Sequence, residues 1–194
     1  MKRSVLICLA TAAVLSVPGF TTRAMELVQN IPVASGPVKV VVAPGGTRAY
    51  VADRDANLVT VVDVSVTPAS LVGTVPVGIA PAGLALTPDA HLLYVANRAS
   101  GTVSVIDTAT NAVVNTIPAG LSPTFIRVTP DGQWAYVTNE FVAPVGLQWK
   151  RIGVATGLVE TVEDSWPYVP QSIVFSGDGR LAFRGYGDVG GSGR

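Results

Sequence analysis

The side chains able to do chemistry are few and lie far apart. The chain has one histidine, His91, and one cysteine, Cys8. Single copies exclude an internal disulfide framework, a multi-thiolate metal site and a multi-histidine metal site. Any imidazole acid–base step would rest on His91 alone. That residue follows Thr87-Pro88-Asp89-Ala90, a proline-aspartate turn, and reads as a solvated turn residue. Asp89, Asp131 and Asp178 recur in this type of turn, while Asp63 and Asp107 open another. No nucleophile–base pair, phosphate-cradling glycine loop, haem-attachment motif or metal cluster is visible. The sequence therefore predicts no catalytic residues, no metal ligands and no cofactor.

What remains is suited to contact. Arg54 and Arg98 occupy equivalent places, where a third copy has Glu140. They read either as anion contacts or as solvated side chains beside turns shaped by Asp53, Asn97 and Asn139. Phe141, Trp149, Trp166 and Tyr168 cluster in two further stretches. Exposed aromatics mark binding surfaces, so these four are candidate ligand or partner contacts. The alternative is that they pack on one another or on parts of the fold missing from this sequence.

The elements that must position these residues repeat. Aligned on an aromatic residue, four segments match: Ala43 to Asp53, Thr87 to Asn97, Thr129 to Asn139 and Ser176 to Phe183. The aromatics at 50, 94, 136 and 183 lie 44, 42 and 47 residues apart, and Pro37, Pro81, Pro123 and Pro170 each open a copy. Each copy reads as four short strands. In the second, these are the apolar Gly83–Leu86, then Leu92–Ala96, the alternating Thr102–Ile106, and the more polar Ala112–Ile117. A period of 40–50 residues with four strands per unit is the mark of a β-propeller blade. Burial is expected to fall from the first strand, lining the channel, to the fourth, on the rim. The predicted fold is all-β: a β-propeller of four-stranded antiparallel blades, incomplete, with about three and a half blades.

Tyr136-Val137-Thr138-Asn139 is the YVTN motif, and Tyr94-Val95-Ala96-Asn97 and Tyr50-Val51-Ala52-Asp53 are close variants. Gly101 to Thr108 is similar to the family's third strand and turn. Over residues 25 to about 187 the chain resembles the YVTN β-propeller repeat family. The resemblance implies seven blades and an extracytoplasmic setting, in surface-layer or periplasmic proteins. It also implies kinship with the haem-binding propeller of a nitrite reductase and with some lactonases. The family has no single activity.

Residues 1–24 read as a secretory signal peptide: Lys2 and Arg3, the apolar Val5 to Val17, then Thr22-Arg23-Ala24. The apolar run is shorter than the ~20 residues of a membrane span. The expected location is the periplasm, cell surface or exterior. Cleavage would remove Cys8 and three of the thirteen basic residues, Lys2, Arg3 and Arg23; ten would remain against thirteen acidic ones, a net charge of −3. The absence of a basic excess argues against nucleic acid as a partner, and 48% hydrophobic with 13% charged residues argues against disorder.

The predicted divisions are a rim strand over 25–36, blade repeats over 37–80, 81–122 and 123–169, and part of a fourth over 170–194. Seven blades need about 28 strands, so the sequence reads as the N-terminal part of a longer protein, with roughly 150 residues to follow. The remaining blades would be needed for closure, and the open arc is expected to self-associate. The leading functional expectation is an exported, noncatalytic scaffold that binds a protein or cell-envelope component. The alternative is a propeller enzyme or cofactor domain, a lactonase-like hydrolase or a haem or quinone redox propeller.

Overall fold

The computed structural model describes residues 4–7, 29–139, 149–162, 170–177 and 182–186. Every regular element among them is a β-strand. The first two strands, β1 (Ser4–Ile7) and β2 (Gln29–Pro32), form an antiparallel pair with Ser4 opposite Pro32. Part of the stretch read as an export leader thus lies against the rim strand.

Three four-stranded antiparallel sheets follow. The first joins β3 (Pro37–Val42), β4 (Arg48–Asp53), β5 (Leu58–Asp63) and β6 (Ser70–Pro76) in chain order. The second joins β7 (Pro81–Leu86), β8 (Leu92–Asn97), β9 (Thr102–Asp107) and β10 (Ala112–Pro118). The third joins β11 (Pro123–Val128), β12 (Trp134–Asn139), β13 (Trp149–Gly153) and β14 (Val159–Val162). A two-stranded sheet of β15 (Pro170–Phe175) and β16 (Ala182–Tyr186) ends the described chain. This is a β-propeller with an incomplete set of blades.

Local chemistry closes the hairpins. Between first and second strands, Thr87 Oγ1 donates to Asp89 Oδ1 at 2.5 Å, and Asp89 accepts the His91 amide at 3.0 Å. Thr129, Asp131 and Gln133 repeat that arrangement one blade on. Each turn contains a left-handed residue: Gly46 at φ 68°, Ala90 at 59° and Gly132 at 70°. Alanine bears a steric cost there that glycine avoids.

Strand alternation then sends two apolar faces to two neighbours. Tyr50, Ala52, Val59 and Val61 of the first blade pack against Leu84, Leu93, Val95 and Ile106 of the second. The second blade's opposite face, with Tyr94, Ala96, Val103 and Val105, packs on Ile126, Ala135, Val137 and Ile152 of the third. Full burial of one such side chain contributes about 1.5–3 kcal/mol relative to exposure. On the outer face of the first blade, Ile31 of β2 packs with Ala49, Val62 and Ala69. Tyr136 of the third blade meets Phe175 of β15, ring centroids 5.4 Å apart.

The expected burial gradient holds at the rim, where the fourth strands β6, β10 and β14 are mostly exposed, but not at the first strands. Burial peaks in the second and third strands, which are covered on both faces. Valines 38, 40 and 42 of β3 are 43–54% exposed, because no blade precedes the first among the described residues.

Candidate functional site

The second strands of the three blades end in Asp53, Asn97 and Asn139, which are 0%, 0% and 6% exposed. Each anchors a loop. The β4–β5 hairpin places Thr60 near Asp53, and its hydroxyl donates to Asp53 Oδ2 at 2.5 Å. Asp53 Oδ1 is buried with no donor at hydrogen-bonding geometry among the described residues. Burial pushes the Asp53 carboxyl above its ordinary value of 3.8, against the opposing pull of the Thr60 hydroxyl and the Thr60 and Ala34 amides. Asn97 Nδ2 donates to Ser104 Oγ at 2.9 Å and Thr102 Oγ1 at 3.2 Å. Asn139 reaches back to the incoming chain: Nδ2 donates to the Ala119 carbonyl at 2.8 Å, and Oδ1 accepts the Ser122 amide at 3.2 Å.

The same loops are laced to the connections arriving from the preceding blade. The Arg54 amide donates to Gly36 O at 2.8 Å, and the Arg98 amide to Ala80 O at 2.9 Å. Asn57 Oδ1 accepts the Ala80 amide at 2.8 Å, and Ser100 Oγ accepts the Ile79 amide at 3.1 Å. Loops from β4 to β5 and from β8 to β9 therefore share one end of the sheets with the inter-blade connections.

Arg54 and Arg98 stand at matched positions in these loops, both exposed. Arg54 Nε pairs with Asp55 Oδ1 at 3.1 Å, the two side chains 48% and 43% exposed; an ion pair so open to water contributes little to stability. Ile79 and Leu121, matched residues of the connections, are 57% and 65% exposed. Sequence reading passed over both, because a single aliphatic residue near a proline carries no local signal. Glu140, Phe141, Trp166 and Tyr168 lie outside the described residues. Trp149 departs from its expected place in an exposed aromatic patch. It is 6% exposed, because cross-strand pairing with Thr138 and Val162 holds it within the third blade.

His91 is exposed, as its turn predicts, but it also lines a cavity of about 220 Å³ with Thr87, Asp89, Leu92, Asp131 and Val154. Both carboxylates there are engaged in their own turns, and those hydrogen bonds hold them below 3.8. Among the described residues no three His, Cys, Asp or Glu side chains gather to hold a metal ion. At the inner strands Lys39 and Arg127 border a second, smaller cavity. They come from different blades, so no local pattern links them before the chain folds.

Residues 19–117 match the family described as Lactonase, 7-bladed beta-propeller. The chain belongs to this family. A chain of the Kuenenia stuttgartiensis hydrazine synthase structure is 25% identical, with a TM-score of 0.71 over 87% of this lactonase-family chain and 45% of its own. A functionally unknown protein from Desulfotomaculum acetoxidans is 20% identical, with a TM-score of 0.59, over 72% of this chain and 45% of its own, and shows the fold alone. No curated protein matches. The lactonase-family chain thus spans less than half the length of these two solved structures.

Proposed function

We propose that this protein is an exported propeller of YVTN type that works as a binding scaffold at the cell envelope, through the face carrying Arg54 and Arg98. One observation carries this reading. On that face the exposed Arg54 and Arg98, and the exposed Ile79 and Leu121, stand at matched positions on loops and connections held by Asn57, Ser100 and Asn139. Arginine is a frequent anchor of binding surfaces, and exposed apolar groups beside it add contact area. Like groups at matched positions of neighbouring loops suit docking; a catalytic centre needs different groups in different roles. The leader-like start at Lys2, Arg3 and Val5 to Val17 supports export.

A second reading, hydrolysis of a lactone, is favoured by the family match over residues 19–117. Two assays on the full-length protein separate them. Co-sedimentation with cell envelopes from the source organism supports the scaffold when the Arg54→Ala, Arg98→Ala double variant loses it. Sustained ring-opening of a lactone panel, followed by acid release, supports the hydrolase.

A further inference from the structure

We propose that the inner strands of the first three blades form a subsite for the carboxylate of a small organic anion. This subsite lies apart from the docking face, and its shape depends on Gly83 of β7. A Cβ there would stand 2.7 Å from the Thr124 carbonyl and 3.3 Å from Ile126 Cγ2, so only glycine lets β11 approach this closely. That approach brings Phe125 and Arg127 beside Ala82-Gly83-Leu84, and β3 brings Lys39 to the same place. Lys39, Gly83 and Phe125 hold one register position in three adjacent blades, each just after a bulge near the strand's opening proline.

The resulting cavity of about 100 Å³ is lined by Lys39, Arg127 and Phe125 over a floor of Ala82, Leu84 and Ile126. Its lining includes no acidic side chain. Neither cation has a carboxylate within ion-pair distance among the described residues, and both are exposed and open to a ligand. Two cations at one small concavity focus positive potential on it. The volume is below the roughly 300 Å³ of pockets that hold whole small molecules, so it accepts a single charged group. The guanidinium fork matches the two oxygens of a carboxylate, and the ammonium adds a point charge. Phe125, 39% exposed, offers an apolar wall to the carbon next to that carboxylate. A phosphate has more oxygens to satisfy, and the lining adds no hydroxyl side chain.

The test is calorimetric titration of the full chain with butyrate, its neutral isostere butyramide, and inorganic phosphate, at low ionic strength. Butyrate is expected to bind and to raise the melting temperature, with butyramide silent and phosphate weaker. Lys39→Gln and Arg127→Gln should each weaken butyrate about tenfold, the worth of a charge-assisted hydrogen bond, without moving the melting temperature of the unliganded protein. Equal response to butyrate and butyramide, tighter binding of phosphate, or undiminished binding in both variants would overturn the proposal.

Discussion

Asp53 and Thr60 face each other across the first blade's second hairpin, the hydroxyl donating to the carboxylate at 2.5 Å in a site closed to solvent. The matched residues of the next two blades are asparagines. Asn139 uses its amide to satisfy the Ala119 carbonyl, a bond that an ionised Asp53 has no donor to make. Burial raises the folded-state pKa of Asp53 above 3.8, so the folded protein holds that proton more tightly than the unfolded one. Its contribution to stability is full below the ordinary value and is lost as pH rises through the raised one. Asp53→Asn should therefore stabilise the protein at pH 7, by about 1 kcal/mol, with the gain shrinking toward pH 3. Thermal melts of both proteins across that range check it; a variant less stable at pH 7 would show that the charge is favourable in place.

The turn aspartates titrate with the opposite sign. Hydrogen bonds from Thr87 and the His91 amide hold Asp89 below 3.8, and those from Thr129 and the Gln133 amide do the same for Asp131. Their contribution is present above the ordinary value and is lost as pH falls through the lowered one. Thr87→Val should cost about 1 kcal/mol at pH 7 and flatten the acid limb of the stability profile. A denaturant series from pH 2 to pH 5 reads both effects.

Ala90 sits at φ 59° where its counterparts Gly46 and Gly132 have 68° and 70°. Ala90→Gly should raise stability by about 0.5–1 kcal/mol, as relief of the left-handed strain exceeds the entropy lost with glycine. A lower denaturation midpoint would mean that Ala90's packing beside the first-blade cluster outweighs that relief.

Gly83→Ala makes the opposite change at a packed position. Its Cβ would stand 2.7 Å from backbone, which cannot step aside as a flexible side chain can. The second and third blades must part, at a cost of about 1–3 kcal/mol. The melting temperature should fall, and tryptophan emission from Trp134 and Trp149 should report the altered third blade.

The fold was legible because its signals are local. Thr87-Pro88-Asp89 closes its turn with bonds two and five residues away, so the turn is written in adjacent letters. Pro81 and Pro123 begin strands that follow laced connections, and the repeat spacing supplied the blade count. What failed depended on neighbours. The exposed valines of β3 look like core in sequence, because exposure is decided by what precedes the blade. Trp149 reads as a surface aromatic until its strand partners are known. Asp53 reads as an ordinary turn residue, since its burial comes from the strands around it. Lys39 and Arg127 lie 88 positions apart and line one cavity only when the inner strands stand side by side.

The loop face is the centre of the functional proposal, and one binding measurement tests it most directly. Full-length protein and its Arg54→Ala, Arg98→Ala double variant are co-sedimented with cell envelopes of the source organism at low and moderate salt. Exposed cations steer and anchor association in a salt-dependent way. The expected result is binding by the unaltered protein and a loss of about tenfold or more in the variant, with matching melting temperatures. Equal sedimentation of the two proteins at low salt would contradict the assignment of this face to binding.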